Sequence, residues 1–481
     1  MMRLALAWVA GAGLLVAGQY RAFWADAFHA GYQSPAEIDR LVDDLVQAKA
    51  NAIFMEVRRR GDSYYLRSLE PPVLPNFDAL DYLIERAHER GIEVHAWFPV
   101  TPLWAGSTPP ADPRHAWLQH GPAAPGDQMW MTVSAAGSVS PSYVDPGHPA
   151  AARYLADVIV HVVENYAIDG VHLDYIRYPE AADYGYNPVA VDRFQRLAAS
   201  AYPTFADFRR AQVTQLVRQI YLRALALKPQ LKVSAALITW GDGPRSDAEF
   251  RAKDAYSRVF QDWRAWLEEG ILDLGLPMNY FREAVNAPFF DRWGEYEKTR
   301  QYGRGIVVGT APYLNSIADS VRQTERALAG NRALGICYYS YASTNSSSAP
   351  NGEFYRAIGE FFGSPERPAE LEWKTRPTRG HVMGRLEVSG GAGWLADGAT
   401  VRLVDEASGA ESISSADSGG FFGFVDRPPG LYHLRLERAG QTLYRSIQRP
   451  VTAGAVTSFD VRLRADDFDA VLPRFPAEGI V

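Results

Sequence analysis

The 481-residue chain contains a single cysteine, Cys337. One cysteine cannot close an intramolecular disulfide, so packing and hydrogen bonds must hold the fold together. Cys337 lies between Ile336 and Tyr338 in an apolar run, which favours a buried thiol over a reactive nucleophile. The hydrophobic content of 47% is enough for a large core, and the length favours more than one domain.

The chain also lacks an excess of positive charge. The chain has 49 Lys and Arg residues against 56 Asp and Glu residues, which gives a net charge of -7. A nucleic-acid partner requires a basic face, so none is expected, and neutral or weakly charged substrates fit better. The sequence also lacks a glycine-rich loop with a lysine that would hold a nucleotide phosphate.

Metal-ligand spacing is missing as well. There is no His-x-x-x-His pair on a predicted element and no cysteine pair, and His115 and His120 lie five residues apart in a loop. The sequence therefore predicts no metal site and no cofactor. A metal-dependent polysaccharide deacetylase is a poor second choice among enzymes for the same reason.

The N-terminal segment 1–18 has the pattern of a secretory signal peptide. An early positive charge at Arg3 precedes an apolar run that ends in the small residues Ala17 and Gly18. The run is short for a membrane span, although an uncleaved anchor or a buried first strand remain alternatives. We therefore expect a periplasmic or secreted protein whose only membrane contact would be an uncleaved signal.

Aromatic residues are plentiful. They make up 12% of the chain, with 12 Trp and 25 Tyr. Such side chains stack on sugar rings, but large cores use them too, so the composition alone only suggests a carbohydrate ligand.

Strand-like and helix-like stretches alternate through residues 19–363. Amphipathic helical patterns, such as 36–50 and 208–227, separate the apolar stretches. The eight predicted strands are 22–28, 51–57, 93–98, 170–174, 232–237, 272–280, 305–309 and 334–341. Eight such units predict a (β/α)8 TIM barrel in the α/β class, with a doubly wound sheet as the weaker alternative. The long insert 101–149 is expected to be a binding loop.

A second region follows the barrel. Residues 364–378 carry prolines and charges and predict a linker. Short alternating strands in 379–465 predict a small antiparallel β-sandwich, and 466–481 would form a C-terminal tail. The glycine- and aspartate-rich turns around 397–401, 417–421 and 429–432 resemble those of carboxypeptidase-regulatory-like modules. A spacer role and a glycan-binding role are both open for it.

The segment 167–179 is the most informative part of the chain. Its alternating pattern predicts a buried strand at 170–174 that ends at Asp174 and is followed by Arg177 and Tyr178. Barrel enzymes keep their chemistry at the carboxyl ends of the strands. Asp174 is therefore predicted to be a catalytic carboxylate, and the alternative is that it caps the strand or pairs with Arg177.

The same rule collects carboxylates, guanidinium groups and aromatic rings at the ends of the other strands. Glycoside hydrolysis needs one carboxyl group to protonate the leaving oxygen, another to attack or activate water, and aromatic faces to hold the sugar. The catalytic candidates are Asp174, Glu56 and Glu283. The predicted substrate-binding residues are Arg58, Asp62, His95, Trp97, His172, Arg177, Tyr178, Asn279, Tyr280, Tyr339 and Tyr341.

Several of these residues have structural alternatives. Glu56 and Arg58 share a strand face and could form an ion pair, and Glu283 could be a solvated loop residue. Trp97 either stacks on a sugar ring or fills the barrel interior. His95 suits a role as a hydrogen-bonding residue of a sugar subsite better than the role of a general base. The second catalytic group could be Glu56, Glu283 or the substrate's own acetamido group. Retaining and inverting mechanisms both stay open for that reason.

Over residues 21–362 the chain resembles the glycosyl hydrolase-like 10 family, bacterial (β/α)8 proteins whose characterised members cut peptidoglycan glycan strands. The resemblance rests on five segments in the same order: 56–65, 91–98, 144–149, 169–179 and 277–280. It implies an extracytoplasmic glycosidase of amino-sugar polymers with Asp174 at the catalytic centre. The chain departs from many relatives by carrying Glu56 where Gln is expected.

Together these features predict a glycoside hydrolase that cleaves β-linked amino-sugar strands, with peptidoglycan as the first candidate. The alternative is a non-catalytic glycan-binding or cell-wall scaffold protein that keeps the groove without a working acid. Exchanging Asp174 for Asn separates the two, because only an enzyme would lose turnover.

Overall fold

A computed structural model describes residues 18–197, 201–390, 395–438 and 440–468. The predicted signal 1–18 lies outside the described residues except for Gly18, and the predicted tail 466–481 lies outside them from residue 469 onward. None of the helices in the described ranges is both long enough and apolar enough to cross a membrane.

Eight parallel strands close into a barrel. The barrel strands are β1 (Tyr20–Ala25), β2 (Ala52–Glu56), β3 (Glu93–Pro99), β6 (Gly170–Asp174), β7 (Lys232–Leu237), β8 (Leu274–Pro277), β9 (Gly305–Thr310) and β10 (Gly335–Tyr339). Between β3 and β6, the strands β4 (Met131–Val133) and β5 (Val139–Val144) form a hairpin outside the barrel. Pairing of β1 with both β2 and β10 closes the ring. The predicted TIM barrel is confirmed, and a doubly wound sheet is excluded because it would have open edges.

Helices surround the barrel. Those before the final region are α1 (Pro35–Gln47), α2 (Ala79–His88), α3 (Ala116–His120), α4 (Pro149–Asn165), α5 (Pro188–Leu197), α6 (Phe205–Leu227), α7 (Asp247–Arg251), α8 (Asp254–Ser257), α9 (Trp263–Glu269), α10 (Glu283–Lys298), α11 (Ile317–Leu328) and α12 (Asn351–Phe362). Helix α1 shows how they form: the Ser34 side chain accepts the Glu37 N–H, and Ile38, Leu41 and Leu45 form its buried stripe.

Side chains fill the barrel interior. Alternate residues of the strands point inward, among them Tyr20, Phe54, Leu274, Leu276 and Cys337, all of them buried. The predicted burial of the thiol is thus confirmed. A packed interior leaves the mouth at the carboxyl ends of the strands as the place where a ligand can enter.

The first strand is shorter than predicted. It ends at Ala25, because the next residue turns the chain: Asp26 Oδ1 accepts the backbone N–H groups of Phe28 and His29 at 2.9 and 3.2 Å. Such a side-chain turn competes with strand pairing. Residues after Ala25 therefore belong to a loop, and strand alternation does not set the direction of their side chains.

The segment predicted as a linker, 364–378, packs against the barrel instead. It contains α13 (Glu372–Thr375), and Ala369 and Leu371 are buried with the interior residues of the barrel. Lys374 Nζ lies 3.0 Å from Asp273 Oδ2. The segment closes the amino-terminal end of the barrel, because its apolar side chains gain a core there that a free linker would lack.

The remaining strands form two facing sheets around a separate apolar core. They are β11 (Gly380–Ser389), β12 (Thr400–Asp405), β13 (Glu411–Ser415), β14 (Phe421–Arg427), β15 (Gly430–Arg438), β16 (Gln441–Arg445), β17 (Arg449–Val451), β18 (Val456–Ser458) and β19 (Val461–Arg464). The sandwich is not purely antiparallel as predicted, since β11 pairs in parallel with β18 and β19. We call this unit the β-module.

The β-module is docked on the barrel through α5 and α6. Arg193 donates two hydrogen bonds to Asp397, at 2.7 and 2.9 Å, and both side chains are buried. A Cβ on Gly423 would lie 2.0 Å from Leu222 Cδ1, so any larger residue there would require the Leu222 side chain of α6 to move. The close packing shows that the β-module is part of the folded body.

Candidate active site

A cleft of about 430 Å³ opens at the carboxyl ends of the barrel strands. Two of the predicted catalytic groups, Glu56 and Asp174, line it. Its aromatic lining consists of Trp24, Phe28, Trp97, Tyr143, Tyr175, Trp240, Tyr280, Phe281 and Tyr339. Paired carboxyl groups within aromatic walls fit the cleavage of a sugar polymer.

Asp174 ends β6 and is only 7% exposed. Its Oδ1 accepts the Tyr175 N–H at 2.6 Å, and its Oδ2 accepts the indole N–H of Trp97 at 3.2 Å. Burial raises the pKa of the Asp174 carboxyl, while the Arg177 guanidinium and the two N–H donors act against that rise. Three groups therefore stabilise the ionised form of Asp174.

Glu56 ends β2 and is also buried. Its Oε2 accepts the Ala27 N–H at 2.6 Å. Burial raises the pKa of Glu56 to about 8, and the nearby negative charges of Asp26 and Asp174 contribute to the rise. Glu56 is consequently protonated at neutral pH, which is the state that a general acid needs.

A hydrogen-bonded chain fixes Trp24 in the wall of the cleft. The Trp24 indole N–H donates to His172 Nε2 at 3.0 Å, and His172 Nδ1 lies 2.9 Å from Ser234 Oγ. Burial lowers the pKa of His172 far below its ordinary value, so the ring is neutral. Since Nε2 accepts, the single proton is on Nδ1 and points to Ser234.

Tyr280 and Tyr339 form a second aromatic wall. Their rings stack with centroids 5.4 Å apart and planes inclined by 15°. The rings of Trp97 and Trp24 each pack edge to face against the Tyr339 ring, with a distance of 6.3 Å between ring centroids in both pairs. The four rings brace one another, so they offer a fixed apolar surface to a sugar ring.

Arg177 stands at the side of the cleft next to Asp174. Its Nη1 pairs with Glu180 Oε2 at 2.8 Å, and its guanidinium lies over the rings of Tyr175 and Trp240. The ion pair lowers the pKa of Glu180 against the opposing effect of burial. Glu180 is thus ionised at neutral pH and does not suit the role of a proton donor.

The sequence profile of the glycosyl hydrolase-like 10 family matches residues 19–311, which is more than half of the chain. The chain belongs to the glycosyl hydrolase-like 10 family. The matched range contains both Glu56 and Asp174, and it ends before β10 and the β-module. In this family member the last barrel strand therefore comes from outside the matched range.

Two bacterial proteins are similar to this chain at the same sequence identity. Glycosyl hydrolase YngK from Bacillus subtilis (strain 168) is 27% identical over 301 residues, which cover 58% of this chain and 55% of that protein. Glycosyl hydrolase DigH from Escherichia coli (strain K12) is 27% identical over 282 residues, which cover 54% and 61%. The chain thus spans little more than half the length of these relatives.

Solved structures share the barrel. The glycoside hydrolase domain of PgaB (BpsB) from Bordetella bronchiseptica superposes with a TM-score of 0.50 at 15% identity, covering 71% of this chain and 98% of that chain. The catalytic domain of β-amylase from Paenibacillus polymyxa gives 0.51 at 12% identity, covering 73% and 100%. At these identities the likeness demonstrates the fold alone.

Within this glycosyl hydrolase-like 10 chain, six of the predicted site residues meet in the cleft. They are Glu56, Trp97, Asp174, Arg177, Tyr280 and Tyr339. The other eight do not line it, and each has a structural partner or a buried position elsewhere.

Arg58 was expected to bind substrate or to pair with Glu56, and it does neither. It is buried and pairs with Glu70, with Nε 2.8 Å from Oε2, while Nη1 donates to the carbonyl of Pro102 at 2.9 Å. The strand ends at Glu56, so strand alternation no longer directs Arg58. Asp62 also lies outside the cleft lining, and burial raises its pKa to about 7.

His95 and His172 point into the barrel, as their strand positions require, but one layer below the cleft. His95 is fully buried, its Nε2 lies 3.2 Å from Glu93, and its ring packs 4.5 Å from Phe54. His172 supports Trp24 from beneath. Neither lines the cleft, so their predicted contact with a sugar is not supported by this arrangement.

Asn279, Tyr178 and Tyr341 are likewise structural. The Asn279 amide donates to Glu297 Oε2 at 3.2 Å, and both side chains are fully buried. The Tyr178 and Tyr341 hydroxyls donate to Asp145 and Asp44, at 2.9 and 2.7 Å. All three residues follow the last residue of a strand, where the loop turns their side chains away from the mouth.

Glu283, the third catalytic candidate, begins α10 and lies away from the cleft. Its Oε1 pairs with Arg326 Nη2 of α11 at 3.2 Å, and its side chain is buried. The alternative of a solvated loop residue is therefore also wrong. Besides Asp174, the carboxyl groups that line the cleft are Glu56 and Glu180, and Glu180 is paired with Arg177, so Glu56 is the candidate second carboxyl group.

The prediction missed several lining residues, among them Trp240, Tyr143, Phe28 and Arg60. Trp240 follows β7, so the rule of strand ends would have found it had it been applied to the fifth barrel strand. Tyr143 belongs to the insert 101–149, which was predicted to be a binding loop without naming a residue. No group of three or more potential metal ligands occurs in the part of the chain that the structure describes.

Proposed function

We propose that the protein is a glycoside hydrolase that cleaves β-linked amino-sugar glycan strands, with peptidoglycan as its substrate. The observation that carries the proposal is that Asp174 and Glu56, two buried carboxyl groups with different hydrogen-bond and charge surroundings, line one aromatic cleft. Membership of the glycosyl hydrolase-like 10 family supports the reaction class.

The surroundings of the two carboxyl groups support different roles for them. Asp174 faces two N–H donors and the Arg177 guanidinium, all of which favour its negative form. Glu56 accepts one backbone N–H and faces other carboxylates, so it keeps its proton up to a pH of about 8. Carboxyl pairs whose environments separate their pKa values are typical of acid and base assignments in glycosidases.

In the reaction that follows from these roles, Glu56 gives its proton to the glycosidic oxygen as the bond to the anomeric carbon breaks. Asp174 stabilises the positive charge that develops on the sugar, by direct attack or by its electrostatic field. Water then adds to the anomeric carbon and returns a proton to Glu56, which completes the hydrolysis. The rings of Tyr280, Tyr339 and Trp97 hold the sugar faces during this step.

The amino-sugar substrate follows from the family resemblance and fits the aromatic lining. The signal-like segment 1–18 supports the further proposal that the enzyme acts in the periplasm or outside the cell. Peptidoglycan lies in that compartment, so substrate and location are consistent with each other.

The first experiment compares the purified protein with its Asp174→Asn variant on three polymers. These are intact peptidoglycan, peptide-free glycan strands and poly-N-acetylglucosamine, with released fragments read by mass spectrometry. Asp169→Asn is the matched control, because Asp169 precedes the same strand at its opposite end. We expect fragments from the wild type and the control, and a loss of about 10³-fold or more in Asp174→Asn.

The outcome also tests the non-catalytic alternative. If no protein releases fragments while all of them bind the strands, the hydrolase proposal fails and a glycan-binding scaffold replaces it. Fragments from poly-N-acetylglucosamine alone would retain the glycosidase and reject peptidoglycan as its substrate.

A further inference from the structure

Arg60 is a cation of the cleft that has no acidic partner in the part of the chain that the structure describes. It lines the cleft four residues after Glu56, and no Asp or Glu among the described residues forms an ion pair with it. Arg177, by contrast, is already paired with Glu180 at 2.8 Å. An arginine that lines a ligand cleft and keeps its donors free is suited to an anionic group of the ligand.

The backbone at Arg60 is held in an unfavourable conformation. Its φ of 64° lies in the left-handed region, which costs energy for a residue with a Cβ. Gly61 follows with φ of 85°, and because glycine has no Cβ it adopts the left-handed region without this cost. Two successive left-handed residues turn the chain sharply after β2 and bring Arg60 to the rim of the cleft.

Phe28 stands next to Arg60 on the same rim. Its ring lines the cleft and is 49% exposed, which is unusual for a large apolar side chain. The guanidinium carbons of Arg59 and Arg60 lie 4.3 and 5.1 Å from the ring centroid. The rim therefore presents an aromatic face with a cation beside it, the arrangement that a charged sugar ring needs.

The charges on the nearby cleft wall do not neutralise Arg60. Glu56 is protonated at neutral pH, because burial raises its pKa to about 8. Burial also raises the pKa of Tyr143, and the charges of Arg177 and Arg60 both act against that rise. Glu180 and Asp174 act on the Tyr143 hydroxyl in the opposite direction, but Glu180 is paired with Arg177, so Arg60 is the guanidinium near Tyr143 that has no acidic partner among the described residues.

We infer that Arg60 binds a carboxylate carried by the sugar that stacks on Phe28, so that the cleft prefers acidic amino-sugar polymers to neutral ones. The inference rests on the proposed function and adds the residue that selects the substrate. Arginine and carboxylate form two parallel charged hydrogen bonds, which fix both the position and the orientation of the sugar. The carboxylate could belong to a lactyl ether or to a uronic acid, since both present the same group.

Binding to the full-length Asp174→Asn protein tests the inference without turnover. Calorimetry compares peptide-free peptidoglycan strands, which carry lactyl carboxylates, with the same strands after methyl esterification and with a polymer of N-acetylglucosamine and glucuronate. Adding Arg60→Gln to the Asp174→Asn protein is expected to weaken binding of the carboxylate strands about 10-fold. Binding of the ester strands should stay unchanged. Arg60→Lys keeps the charge and restores part of the affinity.

Arg376→Gln is the matched control, because Arg376 is 71% exposed in the segment that closes the opposite end of the barrel. It should change none of the affinities. Dependence on Arg60 with the glucuronate polymer but not with the lactyl strands would support the carboxylate site and identify a uronic acid as its ligand. Equal affinity for ester and carboxylate strands, together with no effect of Arg60→Gln on the glucuronate polymer, would overturn the inference, and so would an equal loss for every polymer in Arg60→Gln.

Hydrolysis assays on the same polymers separate this inference from the proposed function. An Arg60-dependent preference in binding, without fragments from the wild-type protein, would reject the hydrolase and keep the carboxylate site. Hydrolysis without any such preference would keep the hydrolase and reject the carboxylate site.

Discussion

The indole N–H of Trp97 donates a hydrogen bond of 3.2 Å to Asp174 Oδ2. The two residues lie on adjacent strands, β3 and β6, whose register pairs Pro99 with Asp174. Trp97 is two residues before Pro99, so both side chains point into the barrel mouth. An aromatic plate and a carboxylate are thereby held in one fixed arrangement.

Trp97→Phe should move the acidic limb of the pH profile of kcat/KM to higher pH. The change keeps the aromatic face and removes one donor that lowers the pKa of Asp174. In the proposed mechanism Asp174 acts in its ionised form, so activity should be lost as the pH falls through its pKa. A charged hydrogen bond is worth about 1.5 to 3 kcal/mol, so we expect a displacement of about one to two pH units.

Trp24→Phe provides the comparison, because the Trp24 indole donates to His172 and not to Asp174. It should leave the acidic limb in place even if it weakens sugar binding. An unchanged limb in Trp97→Phe would mean that the indole contributes nothing to the ionisation of Asp174.

Glu56 should set an alkaline limb near pH 8. A general acid works only while protonated, so kcat/KM should decline as the pH rises through the pKa of about 8 that burial gives to Glu56. Glu56→Gln should remove this limb and reduce kcat/KM by about 10²- to 10⁴-fold. Glu283→Gln, outside the cleft, should do neither. Wild-type activity in Glu56→Gln would assign the proton donor elsewhere, with the substrate acetamido group as the next candidate.

Glu56 should also make the fold less stable as the pH rises. Its pKa in the folded state is about 8 against an ordinary value of 4.5, so the folded state binds the proton more tightly and ionisation destabilises it. The penalty is absent below pH 4.5, grows to about 3 kcal/mol at pH 7 and is complete above pH 8.

Urea unfolding of wild type and Glu56→Gln at several pH values measures this penalty. The variant should be the more stable protein at pH 8, and the two should converge toward pH 4.5. Glu372→Gln, in the exposed pair with Arg376, should follow the wild type throughout. Parallel curves for wild type and Glu56→Gln would show that the carboxyl ionises freely in the fold.

The docking of the β-module should depend on the pair Arg193 and Asp397. Asp397→Ala leaves the Arg193 charge buried without its partner, which typically costs about 3 to 5 kcal/mol. Chemical unfolding should show this loss, whereas breaking the exposed pair through Glu372→Ala should cost less than about 1 kcal/mol. An equal, small effect of both changes would show that apolar packing alone holds the β-module.

Residues inside the strands were the ones that the sequence placed well. Glu56, Trp97, Asp174 and Tyr339 are strand residues at inward positions, and all four line the cleft. Their direction follows from the two-residue repeat of a strand, which is a local property of the backbone. His95 satisfies the same rule but lies deeper, because the repeat gives the side of the strand and not the layer of the barrel.

Residues beyond the strand ends were often misplaced. Arg58 turns to Glu70, Tyr341 to Asp44 and Glu283 to Arg326, and none of these partners is near in sequence. Their directions depend on which loops and helices fold against them. The same holds for residues 364–378, whose composition resembles a linker but whose apolar side chains find a core beneath the barrel.

The sequence by itself therefore determined the barrel, the family and the strand-end position of Asp174, because hydrophobic periodicity and short motifs are encoded locally. The tertiary structure decided which polar groups meet: Trp97 with Asp174, Arg177 with Glu180, and Arg60 with no acidic side chain among the described residues. It also decided the protonation of Glu56, since that depends on how much water the surrounding segments exclude. Burial and charge proximity arise from residues far apart in the chain, and only the folded arrangement specifies them.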